Sequence, residues 1–340
     1  MTSHKKKYAL LLLADENYLE KTKAVFYAAV RYGNWQYELI LLAYEILTPE
    51  KLEWFKVHQI KIIHIDRFTF PFENIKPEHR VYYAKIYLFN PYFKKYHKII
   101  YLDTDTIIRK DIRGLVKYRG FRAADDHLSP PLIYQFNNSG EPYENSKMNR
   151  YFSRKTLFKR SFNTGVMVIP SKHNSLENYN KLITLANTYA CYSSFYEQGI
   201  LNLFLLNKRK KLPYVFNNYY ITVTNKLPKY INRTKKHSVI LHFIGPHKPW
   251  DMESICYDEW QKLYTMAKSL EKWSFPLNKA KTGFFDIIKT DIDIAYHIYQ
   301  KKHKPNIKNT WHRISWHIEM FLKRFMPAIY RVLKKKFGKE

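Results

Sequence analysis

Two short segments carry the chemistry that this sequence can do. Lys98–Asp105 reads KIIYLDTD, with Asp103 and Asp105 two residues apart at the end of an aliphatic run. Carboxylates just past the carboxyl end of a buried strand lie where open α/β sheets bind ligands. Their hard oxygens suit Mg²⁺ or Mn²⁺, an ion that can bridge a diphosphate and neutralise charge as it leaves. Both carboxylates can serve one such ion only if the chain turns after Asp103. A strand-end Asp capping the next turn, with Asp105 merely solvated, is the plainer alternative. The second segment, Leu241–Trp250, reads LHFIGPHKPW. It offers the metal-capable imidazole of His242, close backbone approach at Gly245 and a point charge for phosphate at Lys248. A core histidine followed by a surface turn is the alternative here.

Elements able to position these groups are legible upstream. Tyr8–Ala14 is an aliphatic run of the length of a buried parallel strand. Apolar positions at near-helical spacing over Asn17–Arg31 predict a helix that stops at Gly33. Glu38–Ala43 and Ile60–Ile65 predict two further strands, with a short helix opened by Thr48-Pro49 between them. Val81–Tyr96 is expected to be helical, Lys98–Leu102 a fourth strand and Phe121–Ala124 a fifth. This rhythm predicts an α/β sheet with helices on its faces. The polar stretch Asn137–Arg160 is expected to be a lid or an acceptor-facing excursion. Regular structure resumes with a strand at Gly165–Ile169, helices over 176–190 and 197–206, and a strand within Val239–Ile244.

Composition narrows the functional classes. The 340 residues include 58 aromatics but only 9 glycines, no two closer than six residues. Neither a Rossmann fingerprint nor a P-loop can be written, so any nucleotide phosphate must be held by another device. Apolar content of 46% supports a sizeable core, sufficient for one large domain or one and a half. Two cysteines cannot make a disulfide framework and fit a reducing compartment. The first apolar run lacks a small-residue cleavage site and reads as a strand rather than a signal peptide. No stretch reaches the roughly 18 apolar residues of a membrane span.

Five segments together resemble family 8 glycosyltransferases of the glycogenin-like superfamily. They are LLADENY (12–18), YYAKIYL (82–88), YLDTD (101–105), FNTGVMVI (162–169) with EQGILN (197–202), and HFIGPHKPW (242–250). The pattern is most similar to bacterial lipopolysaccharide galactosyltransferases and glucosyltransferases. The resemblance implies a GT-A fold, a mixed central sheet with flanking helices, that binds a UDP-hexose and transfers the sugar with retention. It implies a nucleotide-sugar half over about 8–126 and a sugar and acceptor half over about 127–275. It also implies Mn²⁺ or Mg²⁺ held by Asp103, Asp105 and His242, with Thr104 between the two carboxylates in the nucleotide-sugar site. Ala14, Asp15, Asn17 and Tyr18 match the segment that holds uracil and ribose. Lys85 falls where the family often has Arg, losing the bidentate fork. Asp126, or its neighbour Asp125, matches the aspartate that fixes donor hydroxyls. Asn163 lines the sugar site, and Gly245 and Lys248 cradle the diphosphate.

Two positions depart from the family pattern. Glu197 stands where Asp is usual, and Gly199 replaces a common acidic residue. Gln198 matches the side chain placed against the anomeric carbon. A neutral amide is a poor nucleophile, so front-side departure and attack is the favoured course, with Gln198 stabilising positive charge. Glu197 could instead act as the nucleophile. A helix-start pair with Glu at the positive end is the plainer reading of both.

The carboxyl-terminal part differs in character from about residue 276. Residues 301–340 hold 12 Lys and Arg against 2 acids. Trp311, Ile314, Ile318, Phe321, Phe325, Ile329 and Val332 fall on one helical face, interrupted by Pro327, so two short helices are expected. Such a basic amphipathic tail suits an anionic membrane surface and resembles the membrane-attaching end of those enzymes. The expected setting is therefore cytoplasmic, peripheral on the inner face of the cell membrane, with a saccharide or lipid-linked acceptor. A net charge of +29 with many aromatics also raises nucleic-acid binding. The aromatics sit in apolar strands and helices, and no RRM, KH or zinc pattern appears, so no nucleic acid is expected. A self-glucosylating protein of glycogen-initiating type is a further alternative.

Overall fold

The computed structural model describes residues 6–67, 75–126, 131–136, 146–219, 237–245, 247–269 and 283–303, together with Thr69, Phe72, Glu271 and Trp273. The expected tail helices beyond 303 and the sequence 137–145 of the polar excursion lie outside the described residues.

The strands are β1 (Tyr8–Ala14), β2 (Glu38–Tyr44), β3 (Lys61–Ile65), β4 (Lys98–Leu102), β5 (Thr106–Ile108), β6 (Phe121–Asp125), β7 (Phe162–Pro170), β8 (Arg209–Lys211) and β9 (Ile240–His242). Seven form one sheet in the order β3-β2-β1-β4-β7-β6-β8, while β5 and β9 pair separately. All pairings in the large sheet are parallel except those of β7, which runs antiparallel to both β4 and β6. The expected mixed α/β sheet is thus observed.

Alternation along the central strands explains the layering. Leu10, Leu12, Ile100, Leu102, Val166 and Val168 face one core. There they meet Val25 and Phe26 of α1 (Leu19–Arg31), Phe55 of α2 (Glu53–Val57), and Trp260 and Leu263 of the helix Tyr257–Ala267. Ala9, Leu11, Ile99, Tyr101, Met167 and Ile169 face the other core, against Phe89, Phe93, Leu182 and Leu201. A strand covered on both faces reads as a continuous apolar run. Each fully buried large aliphatic contributes about 1.5–3 kcal/mol.

Over 80–96 the chain departs from the expected helix. It forms α3 (Arg80–Tyr83), a 3₁₀ turn over Ala84–Phe89 and another over Pro91–Lys95. Pro91 lacks an amide hydrogen and pushes Asn90 out of the helical region, to φ −59° and ψ 141°. The described part of the excursion carries α4 (Arg154–Leu157). Helix α5 (Leu176–Tyr189) and helix α6 (Glu197–Leu205) then stack on the second core, followed by α7 (Tyr257–Ala267).

Helix α8 (Phe284–His303) begins inside the segment set apart from residue 276 onward. Its Ile288, Thr290, Asp291 and Ile294 are buried. Asp291 Oδ1 accepts from Tyr214 N at 2.9 Å, and Ile294 packs with Ala124 and Tyr214.

Candidate active site

The carboxyl ends of β1 and β4 open into a cleft of about 210 Å³, lined by Ala14, Asp15, Tyr18, Tyr82, Lys85, Tyr101, Asp103, Thr104, Asp105, Glu197 and Lys248 among others. The chain turns at Thr104 and Asp105 and enters β5, whose partner β9 ends in His242. Thr106 and His242 are paired in register, so this small ribbon is what joins the two motifs. Ligand atoms of Asp103, Asp105 and His242 all lie within 4.8 Å of one another. His242 Nε2 stands 3.2 Å from Asp105 Oδ1 and 3.7 Å from Asp103 Oδ2.

These residues fit a divalent cation. Asp105 Oδ1 is buried without a conventional hydrogen-bond donor, an arrangement that a cation would satisfy. His242 is cradled: a Cβ added at Gly165 would sit 2.1 Å from its Cε1. Its Nδ1 is held 2.9 Å from Asn217 Oδ1. Burial pushes the Asp105 carboxyl up, but His242 and Lys248 outweigh that and hold it below the usual carboxylate range.

Lys248 Nζ reaches Asp105 Oδ2 at 2.5 Å and the Phe243 carbonyl at 2.9 Å. Gly245, at φ +80°, makes the turn that returns Lys248 to the cleft. Asp15 Oδ1 accepts from the amides of Asn17 and Tyr18 at 3.1 and 3.0 Å, fixing the start of α1. The Tyr18 ring meets Trp250 edge-on at 5.7 Å, joining the first segment to the last. Asn17 itself is exposed and does not line the cleft.

Lys85 bridges two acids, with Nζ 3.0 Å from Asp103 Oδ1 and 2.7 Å from Glu197 Oε1. Burial lowers its pKa, but Asp103 and Glu197 more than reverse this and hold it firmly charged. Burial raises the Glu197 carboxyl; Lys85 opposes and Asp103 adds to the rise. Glu197 lines the cleft, whereas Gln198 lies behind it. Gln198 Nε2 donates to Asp126 Oδ2 at 3.0 Å, and its Oε1 accepts from the Thr164 amide at 3.1 Å. The residue before this pair, Tyr196, is held at φ +48° with its carbonyl accepting from Ser193 Oγ at 2.7 Å. Tyr196 is the residue immediately before α6, in a backbone region that non-glycine residues rarely adopt.

The two neighbouring aspartates have different surroundings. Asp126 belongs to the Gln198 network and also accepts from Gln135 Nε2 at 3.1 Å. Asp125 points to a basic group, with Arg209 at 2.6 Å and Arg160 and Lys211 at 3.5 Å. Burial raises its carboxyl, but Lys211, Arg209 and Arg160 bring it below its ordinary value.

Sequence reading missed Tyr82, Tyr101, Thr164, Gln135 and Asn217. The buried pair Asn217-Asn218, set between aromatics in VFNNYY, was the available signal.

Comparison with known proteins agrees with this architecture. The Glycosyl transferase family 8 pattern matches residues 9–254. Glycogenin-1 of Caenorhabditis elegans is 27% identical over 203 residues, which is 56% of this chain and 38% of that protein. The lipopolysaccharide 1,3-galactosyltransferase of Salmonella typhimurium is 24% identical over 195 residues, 56% of this chain and 55% of that one. The chain thus spans about four-tenths to just over half the length of these two relatives. Galactosyltransferase LgtC, solved in complex with donor and acceptor sugar analogues, superposes with a TM-score of 0.53 at 17% identity, covering 77% of this chain and 96% of that one. At that identity the likeness establishes the fold. A family match over most of the chain and a cleft at the carboxyl ends of a mixed sheet lead to one conclusion: the chain has the GT-A fold and belongs to glycosyl transferase family 8.

Proposed function

We propose that this chain transfers galactose or glucose from a UDP-sugar to a saccharide acceptor, with retention at the anomeric carbon. The observation that carries the reading is the convergence of Asp103, Asp105, His242 and Lys248 on one cleft that also holds Ala14, Asp15 and Tyr18. Asp103, Asp105 and His242 would hold Mn²⁺ or Mg²⁺, which when bound supplies a Lewis acid that neutralises charge on the diphosphate.

The remaining work falls to the protein. Lys248 binds the diphosphate as a point charge, with the open backbone at Gly245 beside it. Ala14, Asp15, Asn17 and Tyr18 form the uridine end, with Asn17 contributing through the backbone at the start of α1. Lys85 offsets the repulsion between Glu197 and Asp103 by pairing with both, and faces the donor. Asp126 and Asn163 bind sugar hydroxyls through the network that orients Gln198. Front-side departure and attack remains the favoured course, with Glu197 the acid that lines the cleft. An acceptor in lipopolysaccharide or lipooligosaccharide core synthesis is suggested by the Salmonella relative. Attachment to the inner face of the membrane through the basic carboxyl-terminal segment completes the proposal. No described helix is long and apolar enough to cross a membrane.

The test is a UDP-sugar panel with Mn²⁺ and a range of saccharide acceptors, the product configuration being read by NMR. Transfer with the donor's α-configuration kept, and lost in Asp103→Ala at unchanged fold, is the expected result. Inversion, or full turnover by Asp103→Ala, would refute the reading. Hexose found by mass spectrometry on the purified chain itself would favour a self-glucosylating protein, as the glycogenin similarity allows.

A further inference from the structure

The polarity of the hydrogen bonds behind the cleft is set by two backbone amides of β7. Gly165 N–H donates to Asn163 Oδ1 at 2.9 Å, so that oxygen is an acceptor. The Asn217 side chain, 2.8 Å away, must therefore present Nδ2 to it. Asn217 Oδ1 is then turned to His242 Nδ1 at 2.9 Å, where it can only accept. His242 must consequently carry a proton on Nδ1, and its Nε2 is the ring atom that faces Asp103 and Asp105. In the other direction Asn163 Nδ2 donates to Gln198 Oε1 at 3.3 Å, and the Thr164 amide fixes the same oxygen as an acceptor at 3.1 Å. Asn217 is fully buried.

We propose that Asn217 is a positioning residue: it fixes the His242 tautomer and ring orientation for metal binding, and ties that ring to the Asn163–Gln198 side of the cleft. The inference rests on the metal assignment above. Outer partners of this kind typically change metal affinity about 10–100-fold. Leucine at 217 removes the acceptor, whereas aspartate keeps an acceptor for Nδ1–H but replaces the donor to Asn163 with a second oxygen and adds a charge.

Mn²⁺ binding to the full chain without nucleotide, read by electron paramagnetic resonance, separates these arms. Asn217→Leu should weaken binding about 10–100-fold, and Asn217→Asp should stay within about threefold of the wild type. Equal binding by wild type and Asn217→Leu, or the same loss in both variants, would overturn the role of Asn217 alone. Absence of Mn²⁺ binding by the wild type would overturn the metal assignment and this inference with it. Should Asn217→Leu fail to fold, Asn217→Asp and the tautomer decide. Nitrogen-15 NMR of the wild type, with His242 identified as the ring signal lost in His242→Gln, should show the proton on Nδ1. A neutral ring with its proton on Nε2 and none on Nδ1 would refute the proposal.

Discussion

Lys85 shows how closely charge is balanced in this cleft. Its side chain, 9% exposed, sets the ammonium against carboxylates of two elements, β4's end and α6's start. Removing it would leave Asp103 and Glu197 facing each other with little water to screen them. Arginine would restore a planar fork in a space shaped for a single ammonium. Gly165 imposes a steric limit of the same kind. Its missing Cβ is the room the His242 ring occupies, so Gly165→Ala must displace the imidazole or the strand. Mn²⁺-dependent turnover should fall on the order of 100-fold, the upper end for disturbing a ligand's support. Unimpaired turnover in that variant, measured beside its melting curve, would argue against His242 as a ligand.

The elements divide into those the sequence announces and those it does not. Aliphatic runs such as LLLL in β1 and KIIYL in β4 are legible because both faces are buried. The candidate metal-ligand pattern is legible because carboxylates and an imidazole at strand ends are unusual. Strand β8 is invisible for the opposite reason: Arg209–Lys211 is three basic residues with no apolar period, and its place comes from pairing with β6. Helix α7 shows Trp260, Leu263 and Ala267 at helical spacing and was there to be read. Asn217 could not be found from spacing, because its role depends on β7, β9 and the turn at 214–216 meeting in space.

The turn that follows β7 makes a pH-dependent prediction. His173, in the 3₁₀ turn Ser171–His173, is buried against Phe121, and its Nε2 has no partner among the described residues. Burial, with Lys172 and Lys208 adding, pushes its pKa down to about 4. Above pH about 6.5 both folded and unfolded chains hold it neutral, and it costs nothing. As pH falls from there toward 4, the unfolded chain takes up a proton that the folded chain refuses. Stability should therefore drop by up to about 3 kcal/mol across that window. Urea unfolding at a series of pH values checks this. His173→Phe should flatten the slope, and an unchanged slope would show that other groups dominate.

At the scale of the whole molecule, charge is the dominant fact. Net charge is +29, and residues 301–340 hold 12 Lys and Arg against 2 acids. Helix α8 is anchored to the body through Asp291 and Ile294 before that sequence begins. Anionic vesicles should carry the full chain upward in a flotation gradient and leave behind a chain ending at residue 303. Equal flotation of the two would sink the membrane assignment.

The ribbon of β5 and β9 has a mechanical meaning as well. It brings Asp105 beside His242, and the chain between them includes β6, β7, α5 and α6. Closing so long a loop costs only logarithmically more than closing a short one, yet the whole of that cost is removed from the unfolded state by a cross-link. An ion bound by these side chains in the folded chain alone would add its binding free energy to the fold, a reversible staple across about four-tenths of the chain. Starving the protein of metal would then loosen its fold as well as silence its chemistry.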